Sequence, residues 1–180
     1  SAETLVGLSI LLDHIVEFAP HPAMHEAEYG FAEADESSAR VTRKYSNEEP
    51  FSADIFRTIA DPFAGRINIM KIISGKVTSD ATVFNSTRGA QERIGGLNVI
   101  QGKNLDKVNE AQTGDIVAAV KLRETQTGDT LCEKSAPIVF PKVHYPEAAI
   151  AFAIEPKSRA DEEKISVALH KILEEDPSLH

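Results

Sequence analysis

The stretch Arg66-Ile67-Asn68-Ile69-Met70-Lys71-Ile72-Ile73-Ser74-Gly75-Lys76-Val77-Thr78-Ser79-Asp80-Ala81-Thr82-Val83-Phe84 decides the fold. Arg66 to Ile69 alternates polar and apolar, as a half-buried strand does. Ile72 and Ile73 extend the run and Ser74-Gly75 breaks it. Lys76-Val77-Thr78 resumes, Ser79-Asp80 breaks again, and Ala81 to Phe84 is another short strand. Further along, Arg93 to Ile100 is strand-like around Gly95-Gly96. Thr113-Gly114-Asp115 and Thr127-Gly128-Asp129 are turn signals that flank the apolar run Ile116 to Leu122. Many short strands between Gly, Asp and Ser turns predict a small closed β-barrel, and closure leaves no sheet edge free.

On either side the pattern changes. Leu5, Leu8, Leu12, Ile15 and Val16 recur at helical spacing, and Pro20 and Pro22 end that helix. Met24 to Glu49 is rich in Glu, Ala and Ser and reads as an acidic linker, exposed or partly disordered, with Tyr29 and Phe31 able to dock on a neighbour. After the barrel, Ala149 to Ile154 is an apolar strand candidate ended by Pro156. Ser158-x-x-Asp161 resembles a capping box, and Asp161, Glu162 and Glu163 suit the positive end of a helix dipole. Ile165, Ala168, Leu169 and Ile172 would form its buried face, and Asp176-Pro177 would end it. One strand and one helix close no core, so this piece reads as the start of an uncompleted domain.

Composition bounds the function. The chain has 180 residues, enough for one or two small cores, and lacks Trp. Its apolar runs are too short for a transmembrane helix, and no signal peptide is expected from its opening residues. A single cysteine, Cys132, excludes an internal disulfide and a Cys-based zinc cluster, and fits a reducing, cytoplasmic setting. The formal net charge is −9, which argues against a protein that coats nucleic acid, DNA included, non-specifically. The charge is uneven: residues 1–50 carry 3 basic and 10 acidic side chains, whereas residues 51–140 carry 11 and 10. A local basic face on the barrel is therefore compatible with the overall balance.

No G-x-x-x-x-G-K-[ST], G-x-G-x-x-G or H-E-x-x-H run occurs. His14, His21 and His25 lack the spacing of a closed metal site, and no metal is expected. Cys132 reads as a buried structural thiol. Glu155, Asp161, Glu162 and Glu163 are explained by a strand end and a helix start, so no catalytic group is expected. Arg88, Arg93, Lys103 and Lys107 fall near predicted strand ends and loops, where they could touch phosphates; on pattern alone a solvated face is favoured. The residues by themselves give a non-catalytic barrel between incomplete pieces.

Three runs carry more than pattern. The barrel contains Asp61-Pro62-Phe63-Ala64-Gly65-Arg66 and then Ser74-Gly75-Lys76-Val77. It ends with Gly114-Asp115-Ile116-Val117-Ala118 and Thr127-Gly128-Asp129-Thr130-Leu131-Cys132. Ala153 to Asp161, reading AIEPKSRAD, follows, and then Glu174-Glu175-Asp176-Pro177. In order and spacing, residues 51–180 resemble the second domain and the beginning of the third domain of bacterial elongation factor G. Ser1-Ala2, Gly7, Leu11-Leu12-Asp13, Pro20 and Pro22 resemble the close of that family's GTPase domain, where a Ser-Ala turn contacts the guanine base. A cloning scar would give the same first two residues.

The resemblance implies a mainly β fold: the six-stranded barrel of translational GTPases over 50–140, preceded by a GTPase-domain helix (1–22) and a linker (23–49). Residues 141–180 would be an incomplete ferredoxin-like (α+β) domain III. It implies a parent that uses GTP and Mg²⁺ to drive tRNA–mRNA translocation, with the barrel docked on the GTPase domain and touching small-subunit ribosomal RNA. This stretch would itself bind no cofactor and hydrolyse no GTP, because it lacks the groups that hold phosphates and Mg²⁺. The family's basic loop maps onto Asn85 to Arg93; Ala90 and Gln91 replace basic residues there, leaving Arg88 and Arg93 as phosphate candidates. A ribosome-protection protein, a release factor, a non-translocating paralogue and a stand-alone interaction barrel are the alternatives. Ile154-Glu155-Pro156-Lys157 favours elongation factor G over release factors.

Overall fold

Two strands of ten residues each form the longest strand pair, and the barrel grows from it. The computed structural model describes residues 2–35, 37–61, 65–102, 104–145, 148–156 and 158–179; for Ala23, Ala160, Glu162 and Glu163 it describes the backbone only. Strands β1 (Ala27–Phe31), β2 (Arg40–Lys44), β3 (Ser52–Asp61) and β4 (Gly65–Ser74) come first. Then follow β5 (Lys76–Thr78), β6 (Thr82–Asn85), β7 (Ala90–Arg93) and β8 (Leu97–Gln101). The last are β9 (Asn104–Val108), β10 (Glu110–Gln112), β11 (Ile116–Val120) and β12 (Thr130–Cys132). Helices α1 (Leu8–Phe18) and α2 (Arg159–Glu175) flank them.

All pairings in the main sheet are antiparallel, in the order β7-β6-β12-β3-β4-β11-β8-β9. Its two sides meet through the chain itself. β7 pairs with β6, the chain bends at Ile94 to Gly96, and β8 then pairs with β11. Across the bend, Ile94 N–H donates to the Ala81 carbonyl at 3.0 Å and Gly95 N–H to the Val120 carbonyl at 3.1 Å. Counting β7 and β8 as one bent strand, and setting aside β9, which pairs only with β8 at the end of the sheet, six strands encircle the core. That core is aliphatic, as the lack of Trp requires: Ile55, Met70, Ile72, Ile94, Leu97 and Leu131 are its largest fully buried apolar members.

β3 escapes the sequence pattern for a physical reason. Ala53 and Ile55 point inward, but a register shift between Ile55 and Arg57 turns Phe56 out and brings Thr58 in. The extra residue breaks the period-2 alternation. In β4 the same run that alternates at its start is buried on both faces at its end. Ile72 faces the barrel interior, while Ile73 packs with Cys132, Ile138 and Phe140 in a second cluster outside it.

That second cluster corrects the reading of Met24 to Glu49 as a linker. The segment forms an antiparallel hairpin, Ala27–Phe31 against Arg40–Lys44. Phe31 and Val139 exchange backbone hydrogen bonds of 2.8 Å, and the guanidinium of Arg43 donates to the Ala136 carbonyl at 2.6 Å. Gly30 makes the approach possible: a Cβ there would lie 2.5 Å from the Val139 carbonyl oxygen. Acidic composition hid a hairpin whose burial comes from a segment about a hundred residues away, which meets it in an isolated bridge.

The ends depart from expectation as well. α1 forms, but none of its residues is buried, and Leu5 lies before it with φ 57°. Pro22 seats the following turn on the barrel against Gly114. The segment Ala149 to Ile154 is not a strand: it pairs with no strand among the described residues and stays exposed. A strand needs a hydrogen-bonding neighbour, and its apolar side chains instead border a groove with Leu169, Ile172 and Leu173 of α2. On the predicted buried face of α2, Ile165 and Leu169 are half-buried while Ala168 and Ile172 are exposed. The capping box does not close either; Ser158 Oγ donates to the Asp161 carboxylate at 2.6 Å rather than capping a backbone N–H.

Candidate nucleic-acid interface

The turns that join β6 to β7 and β11 to β12 lie side by side, and buried carboxylates organise both. Asp129 is 3% exposed. Its Oδ2 accepts from Asn85 Nδ2 (3.0 Å), Gln126 N–H (2.9 Å) and Arg88 Nε (2.5 Å). Arg88 also donates to Gln126 Oε1 at 2.7 Å. The guanidinium expected to touch phosphate is therefore spent on an internal ion pair that holds the two turns together.

Glu92 is equally buried, at 3%. Its Oε2 accepts from Arg123 N–H (3.0 Å), and Oε1 accepts from Glu124 N–H (2.7 Å), Thr125 N–H (3.0 Å) and Thr125 Oγ1 (3.0 Å). Burial alone would push this carboxyl up; the bonds from Arg123, Glu124 and Thr125 outweigh it and hold it below the usual value. Three successive backbone N–H groups are thereby fixed around one anion, as at a helix N-terminus.

Arg93 emerges at the end of β7 with its side chain 72% exposed, 3.3 Å from an equally open Asp80. Beside it an open groove of about 480 Å³ is bordered by Gln91, Gly95, Lys121 and Arg123. The sequence reading missed Lys121 and Arg123. They follow β11 directly, and the apolar run Ile116 to Leu122 concealed that the strand stops at Val120, with Lys121 turned to φ 67°. Lys107 is exposed on the β8–β9 hairpin, opposite Asn98. Lys103 and Ser1 lie outside the described residues, as do Pro62 to Ala64 and Lys157; Ala2 is in an exposed turn ahead of α1.

The remaining candidates are accounted for locally. His14 lies 3.8 Å from Glu17, and the His25 ring sits 5.5 Å from that of Tyr45. His21 borders a separate surface groove beside Pro22. Among the described residues no three His, Cys, Asp or Glu side chains converge on a point where a metal could sit. Cys132 is fully buried in the second cluster. Glu155 is exposed. Asp161 bonds Ser158 and Lys164, which lower its carboxyl in that order. The side chains of Glu162 and Glu163 are outside the described set.

Under the β1–β2 hairpin, Tyr45 donates to Glu28 Oε2 at 2.9 Å, and Lys71 Nζ lies 3.4 Å from the Tyr45 hydroxyl. Asp54 is paired in register with Lys71 across β3 and β4. Burial pushes the Asp54 carboxyl up to about 6, with Lys71 pulling partway back and Glu28 adding a smaller push. Burial, then the bond to Glu28, likewise raises the Tyr45 hydroxyl.

A six-stranded barrel with one bent strand, carrying exposed cations at its β7 end, has the architecture of a translation-factor barrel domain. Residues 50–134 match the family Elongation factor G domain 2, and residues 145–180 match Elongation Factor G, domain III. The chain belongs to the elongation factor G family. It is 40% identical over 173 residues to elongation factor G of Paracoccus denitrificans (strain Pd 1222), covering 96% of this chain and 24% of that protein. The chain thus spans about a quarter of the length of this relative. Its fold superposes on a crystal structure from Thermus thermophilus with a TM-score of 0.74 and 27% identity, covering 97% of this chain and 23% of that one.

Proposed function

We propose that this chain is the ribosome-contacting barrel of an elongation factor G-like translational GTPase, together with the end of its GTPase domain and the start of domain III. The barrel docks on the GTPase domain and touches small-subunit ribosomal RNA during GTP-driven tRNA–mRNA translocation in the cytoplasm. The observation that carries the reading is the succession of two matches, domain 2 and then domain III, in one chain and in that order. The exposure of Arg93 and Lys107 supports both as phosphate contacts. Arg88 is the weaker candidate because Asp129 already neutralises it.

The residues present do not fit GTP or Mg²⁺. No phosphate-binding Gly-rich run occurs in the sequence, and the buried carboxylates of Glu92 and Asp129 are engaged by backbone donors. We assign no nucleotide chemistry to these 180 residues and expect none of the hydrolysis to be theirs.

Pelleting the chain with purified ribosomal subunits tests the reading. Weak, salt-sensitive co-sedimentation with the small subunit, exceeding that with the large subunit, is the expected result. Equal recovery with both subunits, or none with either, contradicts it.

A further inference from the structure

The groove at the β7 end has the features of a built site rather than of a scattered basic surface. Arg123 is tethered by both of its backbone polar groups. Its N–H donates to Glu92 at 3.0 Å, and its carbonyl accepts from the Arg66 guanidinium at 2.7 Å. The backbone is fixed by two ions, and the side chain is left in solvent. Lys121 holds φ 67°, a left-handed conformation uncommon for a residue with a Cβ. Backbone in that region persists only where surroundings enforce it, and it clusters at binding sites. The Lys121 stem lies across Gly95, where an added Cβ would be 2.9 Å from Cδ and 3.0 Å from Cβ of the lysine, so the missing side chain at Gly95 leaves it room. Arg93 enters the same groove from the opposite strand.

The counter-charges are few. The Glu92 carboxylate is turned into the 123–125 loop with both oxygens occupied, and Asp80 alone faces Arg93 across 3.3 Å of open surface. Two planar guanidiniums and an ammonium bordering one groove suit the oxygens of a phosphodiester chain. No aromatic ring is among the described residues of the lining, so there is no platform on which a base would stack. The chemistry fits backbone contact rather than base readout.

We propose that Arg93, Lys121 and Arg123 together form a phosphodiester-backbone site for ribosomal RNA, with Lys121 and Arg123 in the role that the Asn85–Arg93 loop alone would otherwise fill. The assignment rests on the ribosomal reading above and deepens it, naming the groups that engage the RNA.

Lys121→Gly separates binding from folding, because glycine adopts the left-handed region without strain. The fluorescently labelled 180-residue chain, Lys121→Gly and Arg123→Gln are titrated with purified small ribosomal subunits from about 50 to 300 mM salt, and each is melted. Each variant is expected to bind at least about threefold more weakly at low salt. Its log–log salt slope should fall by about 0.7 to 0.9. Lys121→Gly should melt no lower than the parent chain. Binding by the parent with the same affinity and slope in both variants overturns the assignment while leaving the ribosomal reading standing. Failure of the parent chain to bind overturns both.

Discussion

Arg88 and Asp129, 41 positions apart, form the ion pair that ties the β6–β7 turn to the β11–β12 turn, with Nε 2.5 Å from Oδ2. The carboxylate is buried while the guanidinium is about one-third exposed. A charge that serves this internal contact is not available to a distant phosphate.

Arg88→Gln should therefore lower stability rather than ribosome affinity. It leaves Asp129 with Asn85 and Gln126 as donors but without its cation. Because the arginine is partly solvated, the cost is expected at about 1–3 kcal/mol, below that of a fully buried pair. Urea unfolding followed by circular dichroism measures it; an unchanged midpoint would show that the pair contributes nothing.

Glu92→Ala should be more damaging. It strands the N–H groups of Arg123, Glu124 and Thr125 together with the Thr125 hydroxyl. Only the Thr125 donors are buried, so at about 1–3 kcal/mol for a buried donor left unpaired a loss of about 2 kcal/mol or more is expected, and the 123–125 loop should exchange its amides rapidly. Slow exchange in that loop in the variant would refute the role given to Glu92.

Asp54 predicts a pH dependence. Its carboxyl holds a proton up to about 6 when folded but loses it near the ordinary 3.8 when unfolded. The native state binds the extra proton between those values, so this group stabilises the fold at acid pH and the contribution is lost as pH rises through 6. The full effect is up to about 3 kcal/mol. Asp54→Asn should flatten the stability curve between about pH 4 and 6. A curve of unchanged slope would remove Asp54 as its source.

The contact between α2 and the barrel is polar. Glu174 pairs with Arg66, and Glu175 Oε1 accepts from Ala60 N–H at 2.7 Å. Partly exposed ion pairs are weak and screened, about 1 kcal/mol or less. Raising salt to about 0.5 M should speed amide exchange across Arg159–Glu175 while the barrel strands stay protected. Equal protection in low and high salt would show that something other than these glutamates holds the helix.

What the sequence discloses follows what is local. The alternation of Ile67 and Ile69 and the turns at Gly75, Gly114 and Gly128 are properties of neighbouring residues, and they mark the barrel. The β1–β2 hairpin depends on Val139 and Ala136 accepting bonds from Phe31 and Arg43, which no window around Tyr29 contains. β3 is masked by its own bulge at Phe56. At the interface, Arg93 is legible as a strand-end cation. Lys121 and Arg123 gain significance only because Glu92, about thirty positions earlier, fixes the loop that carries Arg123. Arg88 shows the converse: a residue of the right type in the right loop, whose partner Asp129 sits in a different turn.

The most direct test of the ribosomal account is to place a cleaving reagent in the groove. Gln91 is exposed and borders it, and the native Cys132 is fully buried, so Gln91→Cys gives a single accessible thiol for tethered iron–EDTA. With the labelled chain bound to whole ribosomes, the account predicts backbone cuts confined to a few neighbouring positions of small-subunit ribosomal RNA. Those cuts should disappear at high salt and in the Lys121→Gly, Arg123→Gln double variant. Cuts confined to the large subunit, or scattered over both RNAs, would contradict it.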